Sequence, residues 1–238
     1  MHLNILHLEN VPIYKQLQLE EALLRTCDQN YCVINTGAPP SIVMGISAKP
    51  ENVLFLNMVE ANKIPVIKRY SGGGTVIVDP DTIFVSFIFQ KELLDLPLFP
   101  EPIMRWSGEF YKKALSIPEF SLRENDYVIG NKKCAGNAQY IQKNRFVHHT
   151  TFLWDFCKEN MKHLKMPTKV PKYRDNRPHT DFLCSLLNHL SKEEFISAVK
   201  NELKGQFLSV ETSLEEIQEK TMLPHRQATE IISSFIGK

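Results

Sequence analysis

A glycine-rich stretch with basic and hydroxyl neighbours is the first part of the chain whose residue types could do chemistry. Gly72, Gly73 and Gly74 follow Arg69 and Ser71 in "KRYSGGGTVIVD", directly before a run of β-branched residues. Consecutive backbone N–H groups without side chains can form a concave anion site, to which the cation and the hydroxyl would add charge and a hydrogen bond. Three glycines more often form a tight turn or bulge, so this stretch alone does not establish a site.

A pair of lysines precedes a second stretch of small residues. Lys132 and Lys133 begin "KKCAGNAQ", whose centre contains Gly136 and Ala138. A lysine on a strand beside a glycine can reach into a groove, where it acts as a compact charge on phosphates or carboxylates. The alternative is a solvated surface lysine. Because neighbouring side chains on a strand alternate between faces, we expect one lysine to face a groove and the other to face solvent.

Two further pairs of polar residues stand at strands. Asn125 and Asp126 enter a predicted strand, a position that also suits an ordinary turn or cap. His148 and His149 occupy a strand in "VHHTTFL", so only one of them can face a given site. No third ligand is close in sequence, and a metal triad is therefore not expected.

The cysteines indicate neither a disulfide framework nor a zinc site. There are five, an odd number, and no CxxC pair occurs. We expect free and mostly buried thiols.

The hydrophobic periodicity predicts the helices and strands that would position these residues. A helix is predicted over Ile13–Thr26, where apolar residues recur at helical spacing, and Ser191 with Glu194 has the spacing of a capping box before another helix. Two apolar runs flank the polar turn Asp79–Thr82 and predict a hairpin. Further helices are predicted over Glu51–Ile64, Glu101–Leu115 and residues 225–235, and strands over Leu3–Glu9, Tyr31–Asn35, Ser41–Ile46, residues 126–130, residues 132–142 and Arg145–Phe156. The predicted class is α+β, with a mixed, mostly antiparallel β-sheet flanked by helices.

Composition narrows the range of partners. The 238 residues are 43% hydrophobic and 23% charged, with a formal net charge of +1. This balance is ordinary for a globular protein and does not favour binding to nucleic acid or to an anionic membrane. The N-terminus lacks the basic flank and apolar core of a signal peptide, so we predict a cytoplasmic protein.

Taken in order, the motifs resemble those of the lipoate–protein ligase family, relatives of the biotin–protein ligases and octanoyltransferases. The family pattern R-R-x-S-G-G-G-x-V-x-H-D corresponds to "KRYSGGGTVIVD", and the later N-D, G-x-K-I-A-G-x-A and H-H-G-T correspond to "END", "GNKKCAGNAQ" and "HHTT". The match extends to about Asp181. The resemblance implies a class II synthetase or biotin-ligase-like catalytic domain over residues 1–185, with a helical C-terminal tail over residues 186–238 packed on it.

The resemblance also implies roles for the matched residues. Lys133 would be the catalytic lysine, and Asp126 would contact the nucleotide or hold its Mg²⁺. The residues that would bind the acyl chain or the adenylate are Arg69, Ser71, Gly72, Gly73, Gly74, Asn125, Asp126, Gly136, Ala138, His149 and Thr151. ATP and lipoate would be the substrates, and lipoyl domains of 2-oxo acid dehydrogenase subunits, or the glycine cleavage carrier protein, would be the acceptors.

Several positions depart from the family pattern. Lys68 replaces an arginine, Val78 a histidine, Thr150 a glycine and Cys134 an isoleucine. Larger ligases of the family add a C-terminal domain, so a separate accessory subunit could be needed for activation.

Three functions therefore stay open. The first is a ligase that activates lipoate or octanoate as the acyl-adenylate and transfers it to a lysine. The second is a transferase that uses a thioester donor, directly or through Cys134, although Cys134 should face the core if Lys133 faces the groove. The third is a catalytically silent subunit that binds lipoyl-AMP. A biotin ligase fits the motifs less well.

Overall fold

An eight-stranded sheet forms the centre of the part of the chain that the computed structural model describes, residues 2–167 and 170–232. The strands are β1 (His2–Glu9), β2 (Asn30–Thr36), β3 (Ser41–Met44), β4 (Val66–Lys68), β5 (Val76–Val78), β6 (Thr82–Gln90), β7 (Phe120–Arg123), β8 (Asp126–Ile129), β9 (Lys132–Ile141), β10 (Arg145–Leu153), β11 (Leu208–Thr212) and β12 (Glu230–Ile232). The large sheet has the order β11-β1-β2-β6-β10-β9-β8-β7, and a four-stranded sheet has the order β12-β4-β3-β5. Most neighbouring pairs are antiparallel, and the parallel ones are β11–β1, β1–β2 and β3–β4. The predicted mixed, mostly antiparallel α+β class is confirmed.

The helices cover both faces of the large sheet. They are α1 (Ile13–Thr26), α2 (Pro50–Val53), α3 (Leu56–Ala61), α4 (Pro100–Leu115), α5 (Lys158–Met161), α6 (His179–Phe182), α7 (Lys192–Gln206) and α8 (Leu214–Thr221). On one face, Phe110 of α4 packs against Phe87 of β6, and Phe195 of α7 packs against Phe152 of β10. On the other face, α1 and the small sheet enclose a second apolar cluster. No helix within the described residues is long and apolar enough to cross a bilayer.

Three sequence-based predictions of local structure are wrong. The runs on either side of Asp79–Thr82 do not form a hairpin, because β5 pairs with β3 in the small sheet while β6 joins β2 and β10 in the large one. The helix predicted over Glu51–Ile64 is broken where Leu54 forms a bridge with Leu164. Residues 225–232 are not helical, since Glu230–Ile232 pairs with β4; residues 233–235 lie outside the described residues.

The segment beyond residue 185 is more than a set of helices. Up to residue 232 it contains α7 and α8, but also β11, which pairs with β1, and β12, which pairs with β4. The domain boundary near residue 185 stays a prediction. The strands tie this segment to both sheets.

Candidate active site

A cleft lies between α1 and the small sheet on one side and β6, β9 and β10 on the other. It encloses about 630 Å³, part of which is open to solvent. Its walls are largely apolar, with Leu17, Val43, Val78 and Phe84 among the lining residues. Lysine, arginine, histidine and glutamate side chains reach the same space. An apolar cleft with a few convergent polar groups is the usual form of a small-molecule site.

Most of the residues predicted for the site line this cleft, and the rest lie behind or beside it. Those that line it are Arg69, Gly74, Lys133, Gly136, Ala138, His149 and Thr151. Ser71 is fully buried behind the wall. Asn125 is exposed, and its carbonyl accepts a hydrogen bond from Nδ2 of Asn137, a residue of the cleft wall. The ligand roles themselves stay predictions.

The glycine loop between β4 and β5 is folded around the Arg69 side chain. Nη2 of Arg69 donates to the carbonyls of Gly72 at 2.6 Å and Gly74 at 2.9 Å, and Nε donates to Oγ of Ser71 at 3.0 Å. Burial lowers the pKa of Arg69 to about 10, so the group stays charged at neutral pH. Arg69 therefore supports the loop backbone with charge-assisted hydrogen bonds.

Gly73 is required by the protein's own packing. Its φ is +100°, a conformation that side chains disfavour. A Cβ here would lie 2.7 Å from Nη2 of Arg69 and 3.2 Å from Cβ of Ala138, whereas a Cβ on Gly72 or Gly74 would meet nothing within 4 Å. Since Gly74 lines the cleft, a side chain there would occupy space open to a ligand.

A hydrogen-bonded chain connects the glycine loop to α1. Oγ of Ser71 is 2.7 Å from Nε2 of His149, and Nδ1 of His149 is 2.9 Å from Oε2 of Glu20. Gln16 and Ser86 donate to the other oxygen of Glu20, at 2.7 and 2.6 Å. The order resembles a serine–histidine–carboxylate triad, but Ser71 is buried and accepts from Arg69, so it cannot meet a substrate. The chain instead fixes the orientation of His149.

Sequence reasoning missed Glu20, Gln16 and Ser86. A signal was available, because Glu20 continues the apolar stripe of α1 formed by Ile13, Leu17 and Leu24. Glu20 is fully buried. A carboxylate in such a stripe is buried on folding and needs hydrogen-bond partners there, so Glu20 predicts a cluster of polar side chains in the interior.

Lys133 projects into the cleft and is paired with Asp126. Its Nζ lies 2.7 Å from Oδ1 of Asp126, whose other oxygen accepts from the hydroxyl of Tyr173 at 2.8 Å. A Cβ on Gly136 would come within 3.2 Å of Nζ, so the glycine leaves room for the ammonium group. Lys132 is exposed, as predicted.

A β-bulge gives Lys133 this direction. Tyr127 pairs with Ala135, but Val128 pairs with Lys133, which leaves Cys134 as an extra residue in β9. In a regular strand Lys133 would share a face with Ala135, a core residue, and oppose Gly136. The bulge turns Lys133 to the side of Gly136 and Ala138.

Cys134 and His148 face the core. Cys134 has no exposed surface, and burial raises the pKa of its thiol well above the ordinary value. This disfavours the route through a nucleophilic Cys134. His148 is likewise buried and lies 3.0 Å from the hydroxyl of Tyr127.

The acidic side chains of the site do not by themselves form a metal-binding site. Within residues 2–167 and 170–232 no group of three or more histidine, cysteine or acidic side chains could hold a metal ion. Both oxygens of Asp126 already have partners. Mg²⁺ commonly binds through one or two carboxylates together with substrate phosphates. This site could therefore hold Mg²⁺ only through Asp126 and the phosphates of a bound substrate, and not through a set of protein ligands.

Comparison with solved structures defines the class of fold. The crystal structure of a lipoate-protein ligase A bound with ATP superposes with a TM-score of 0.77 and 19% identity, covering 93% of this chain and 92% of that one. A bipartite lipoate protein ligase from Thermoplasma acidophilum, described with its E2 lipoyl domain, gives a TM-score of 0.75 and 20% identity, covering 93% and 90%. The fold is that of the class II synthetase-like lipoate ligases.

Sequence comparison gives the family. The model for the lipoyl protein ligase A/B catalytic domain matches residues 12–208, and the chain belongs to this family. An inactive lipoate–protein ligase 2 of Plasmodium falciparum is 29% identical, over 77% of this chain and 64% of its own length. Lipoate-protein ligase LplJ of Bacillus subtilis is 30% identical, over 66% of this chain and 46% of its own length. The chain thus spans less than two thirds of these relatives.

Proposed function

We propose that this protein activates lipoate or octanoate as the acyl-adenylate and transfers the acyl group to a lysine of a lipoyl-domain protein. The observation that carries the proposal is the Lys133 ammonium, which is paired with Asp126 and lies in a largely apolar cleft that Gly74 of the glycine loop also lines. Family membership supports the acyl substrate. The ligase A structure bound with ATP, and the structure of a protein from Thermoplasma acidophilum with bound lipoic acid (TM-score 0.74, 17% identity), support the two ligands.

The cleft offers both apolar and polar groups for the two parts of an acyl-adenylate. Leu17, Val76 and Phe84 provide apolar contact for an alkyl chain. Lys133 and the backbone of Gly74 and Gly136 provide charge and close approach for the carboxyl and phosphate groups.

The chemistry needs activation because a carboxylate is a weak electrophile. A carboxylate oxygen attacks the α-phosphorus of ATP and pyrophosphate leaves; the acceptor lysine nitrogen then attacks the carbonyl carbon, AMP leaves and the nitrogen loses a proton. Lys133 would stabilise the negative charge that develops on phosphate and carbonyl oxygens in both steps. Its partner Asp126 holds the ammonium in place before substrate arrives. Mg²⁺, held by the phosphates and Asp126, would neutralise phosphate charge.

The acceptor and the location remain predictions. The archaeal ligase that shares the fold is described with an E2 lipoyl domain, which supports lipoyl domains as acceptors here. The glycine cleavage carrier protein and a cytoplasmic location rest on the sequence alone.

A silent lipoyl-AMP-binding subunit is the second candidate. It is favoured by the relative from Plasmodium falciparum, which is named an inactive ligase. Lys133 and the glycine loop argue for activity, since both are in place around an open cleft.

Mass spectrometry after incubation with lipoate, ATP and Mg²⁺ tests the proposal, with Lys133→Ala as the control. Bound lipoyl-AMP and transfer to a purified lipoyl domain are expected for the wild type and not for the variant. Transfer only from an octanoyl thioester would replace the ligase with a transferase, and transfer only from preformed lipoyl-AMP would show that this chain does not activate lipoate by itself. Ligand binding with no reaction would establish the silent subunit, and the absence of both would overturn the assignment.

A further inference from the structure

A buried carboxylate anchors the C-terminal end of the described chain to α1. Glu21 is fully buried and accepts hydrogen bonds from Ala228 N and Thr229 N, at 3.0 and 3.1 Å, and from Thr229 Oγ1 at 3.1 Å. Glu21 also forms an ion pair with Arg25, in which Oε1 of Glu21 lies 2.9 Å from Nη2 of Arg25. Charge-assisted hydrogen bonds in a buried setting are among the stronger ones. We name residues 228–232 the strap.

The strap continues into the small sheet. Its last three residues form β12, in which Glu230 pairs with Lys68 and Ile232 pairs with Val66 of β4. β4 ends at Lys68, and the next residue is Arg69, which supports the glycine loop. The strap thus joins α1 to the strand that leads into the loop.

The two anchor points of the strap each adjoin a residue of the cleft. Glu21 follows Glu20, which holds His149, and Lys68 precedes Arg69. The hydrogen-bonded chain Glu20–His149–Ser71–Arg69 therefore connects the same two parts of the molecule as the strap does.

We propose that the strap positions the acyl-binding wall by holding α1 and the glycine loop at a fixed separation. The proposal rests on the function proposed above, because it assigns the strap to acyl binding. Lys133 lies on β9, which has no pairing with β12. Loosening the strap should therefore weaken acyl binding and raise KM while kcat is retained.

Two variants loosen the strap without touching the cleft. Thr229→Val keeps the side-chain volume and removes the hydroxyl donor to Glu21; Glu21→Gln removes the charge. Thr229→Ser restores the donor, and Glu219→Gln changes an exposed carboxylate of α8 as the matched control. We expect the first two to raise the lipoate Kd by up to about tenfold, because the free energy lost with one charge-assisted hydrogen bond is the upper limit of what its loss can remove from binding.

Hydrogen exchange of the ligand-free protein supplies a second measurement. Amides of residues 69–76 should exchange faster in Thr229→Val and Glu21→Gln, whereas those of residues 120–129 in β7 and β8 should not. Thr229→Ser and Glu219→Gln should match the wild type in both.

The outcomes are distinguishable. If the strap variants lower only the urea midpoint and leave both exchange of residues 69–76 and the lipoate Kd unchanged, the strap merely stabilises the fold and the proposal fails. If Glu21→Gln does not fold, Thr229→Val decides alone, since it adds no volume. If the wild type binds no lipoate, the proposed function fails, and unchanged exchange of residues 69–76 would still separately overturn the strap.

Discussion

Lys133 and Lys132 are sequence neighbours with opposite surroundings, which makes them a matched pair for testing the catalytic assignment. Lys133 projects into the cleft beside Asp126, and Lys132 is exposed. Removing a donor that stabilises transition-state charge slows a reaction by about a hundred- to a thousand-fold. We therefore expect Lys133→Ala to lower the rate of lipoyl transfer by that factor, and Lys132→Ala to keep the wild-type rate.

Transfer to a purified lipoyl domain measures the effect, with circular dichroism as the control for folding. An active Lys133→Ala, or an inactive Lys132→Ala, would contradict the register assigned to β9.

The glycines of the loop are predicted to differ in how well they tolerate substitution by alanine. Gly73→Ala places a Cβ against Arg69 and Ala138 at a φ of +100°, so the loop must shift. Gly72→Ala meets nothing within 4 Å and is the matched control. We expect Gly73→Ala to weaken lipoate binding at least about tenfold, through a strain of order 1–2 kcal/mol. Calorimetric titration of both variants checks this, and equal affinities would show that the loop adapts.

His148 predicts a specific pH dependence of stability. Burial, reinforced by His149, lowers its pKa to about 3 from an ordinary value of 6.5. The unfolded chain therefore takes up a proton on this ring between pH 6.5 and 3 that the folded chain does not bind. The free energy of unfolding should fall as the pH falls through this window, by up to about 1.4 kcal/mol per pH unit.

Replacing the ring isolates its contribution. His148→Gln should reduce the slope of unfolding free energy against pH between 6 and 4 in urea titrations. His189→Gln, at an exposed position, should leave the slope unchanged. An unaltered slope in His148→Gln would assign the acid sensitivity to other groups.

At the scale of elements, α7 illustrates how local signals support the core. The Ser191 hydroxyl accepts a hydrogen bond from the backbone N–H of Glu194, and the Glu194 carboxylate accepts one from the backbone N–H of Ser191, which completes a capping box. The helix then buries Phe195, Val199 and Leu203 in the main core. We expect Ser191→Ala to lower the free energy of unfolding by about 1 kcal/mol, with lipoate affinity unchanged.

Urea denaturation measures this difference, and Ser191→Asp, which keeps a capping oxygen, should lose far less. Equal losses in the two variants would show that the cap does not stabilise α7.

At the scale of the whole molecule, the choice of acyl donor tests whether this chain performs both the activation and the transfer step. Activation of lipoate consumes ATP, whereas transfer from a preformed adenylate does not, so the two donors separate the two steps. If the predicted accessory subunit assists activation and not transfer, the isolated chain should transfer from preformed lipoyl-AMP at least about tenfold faster than from lipoate with ATP. Single-turnover transfer to a lipoyl domain compares the donors. Equal rates would show that no partner is needed.

The sequence by itself determined the features that depend on near neighbours. The bounds of α1 follow from its helical period, the capping box at Ser191 follows from a spacing of three residues, and the ordered motifs identify the family. These features are readable because side chains a few residues apart decide them.

Only the tertiary structure decided how the site is assembled. A regular strand would place Lys133 and Gly136 on opposite faces, and the bulge at Cys134, which depends on pairing with β8, brings them together. Glu20 contacts His149, 129 residues further along the chain, and β5 and β6 enter different sheets although only three residues separate them. Such contacts depend on which distant strands pair, and periodicity along one segment carries no information about its partner.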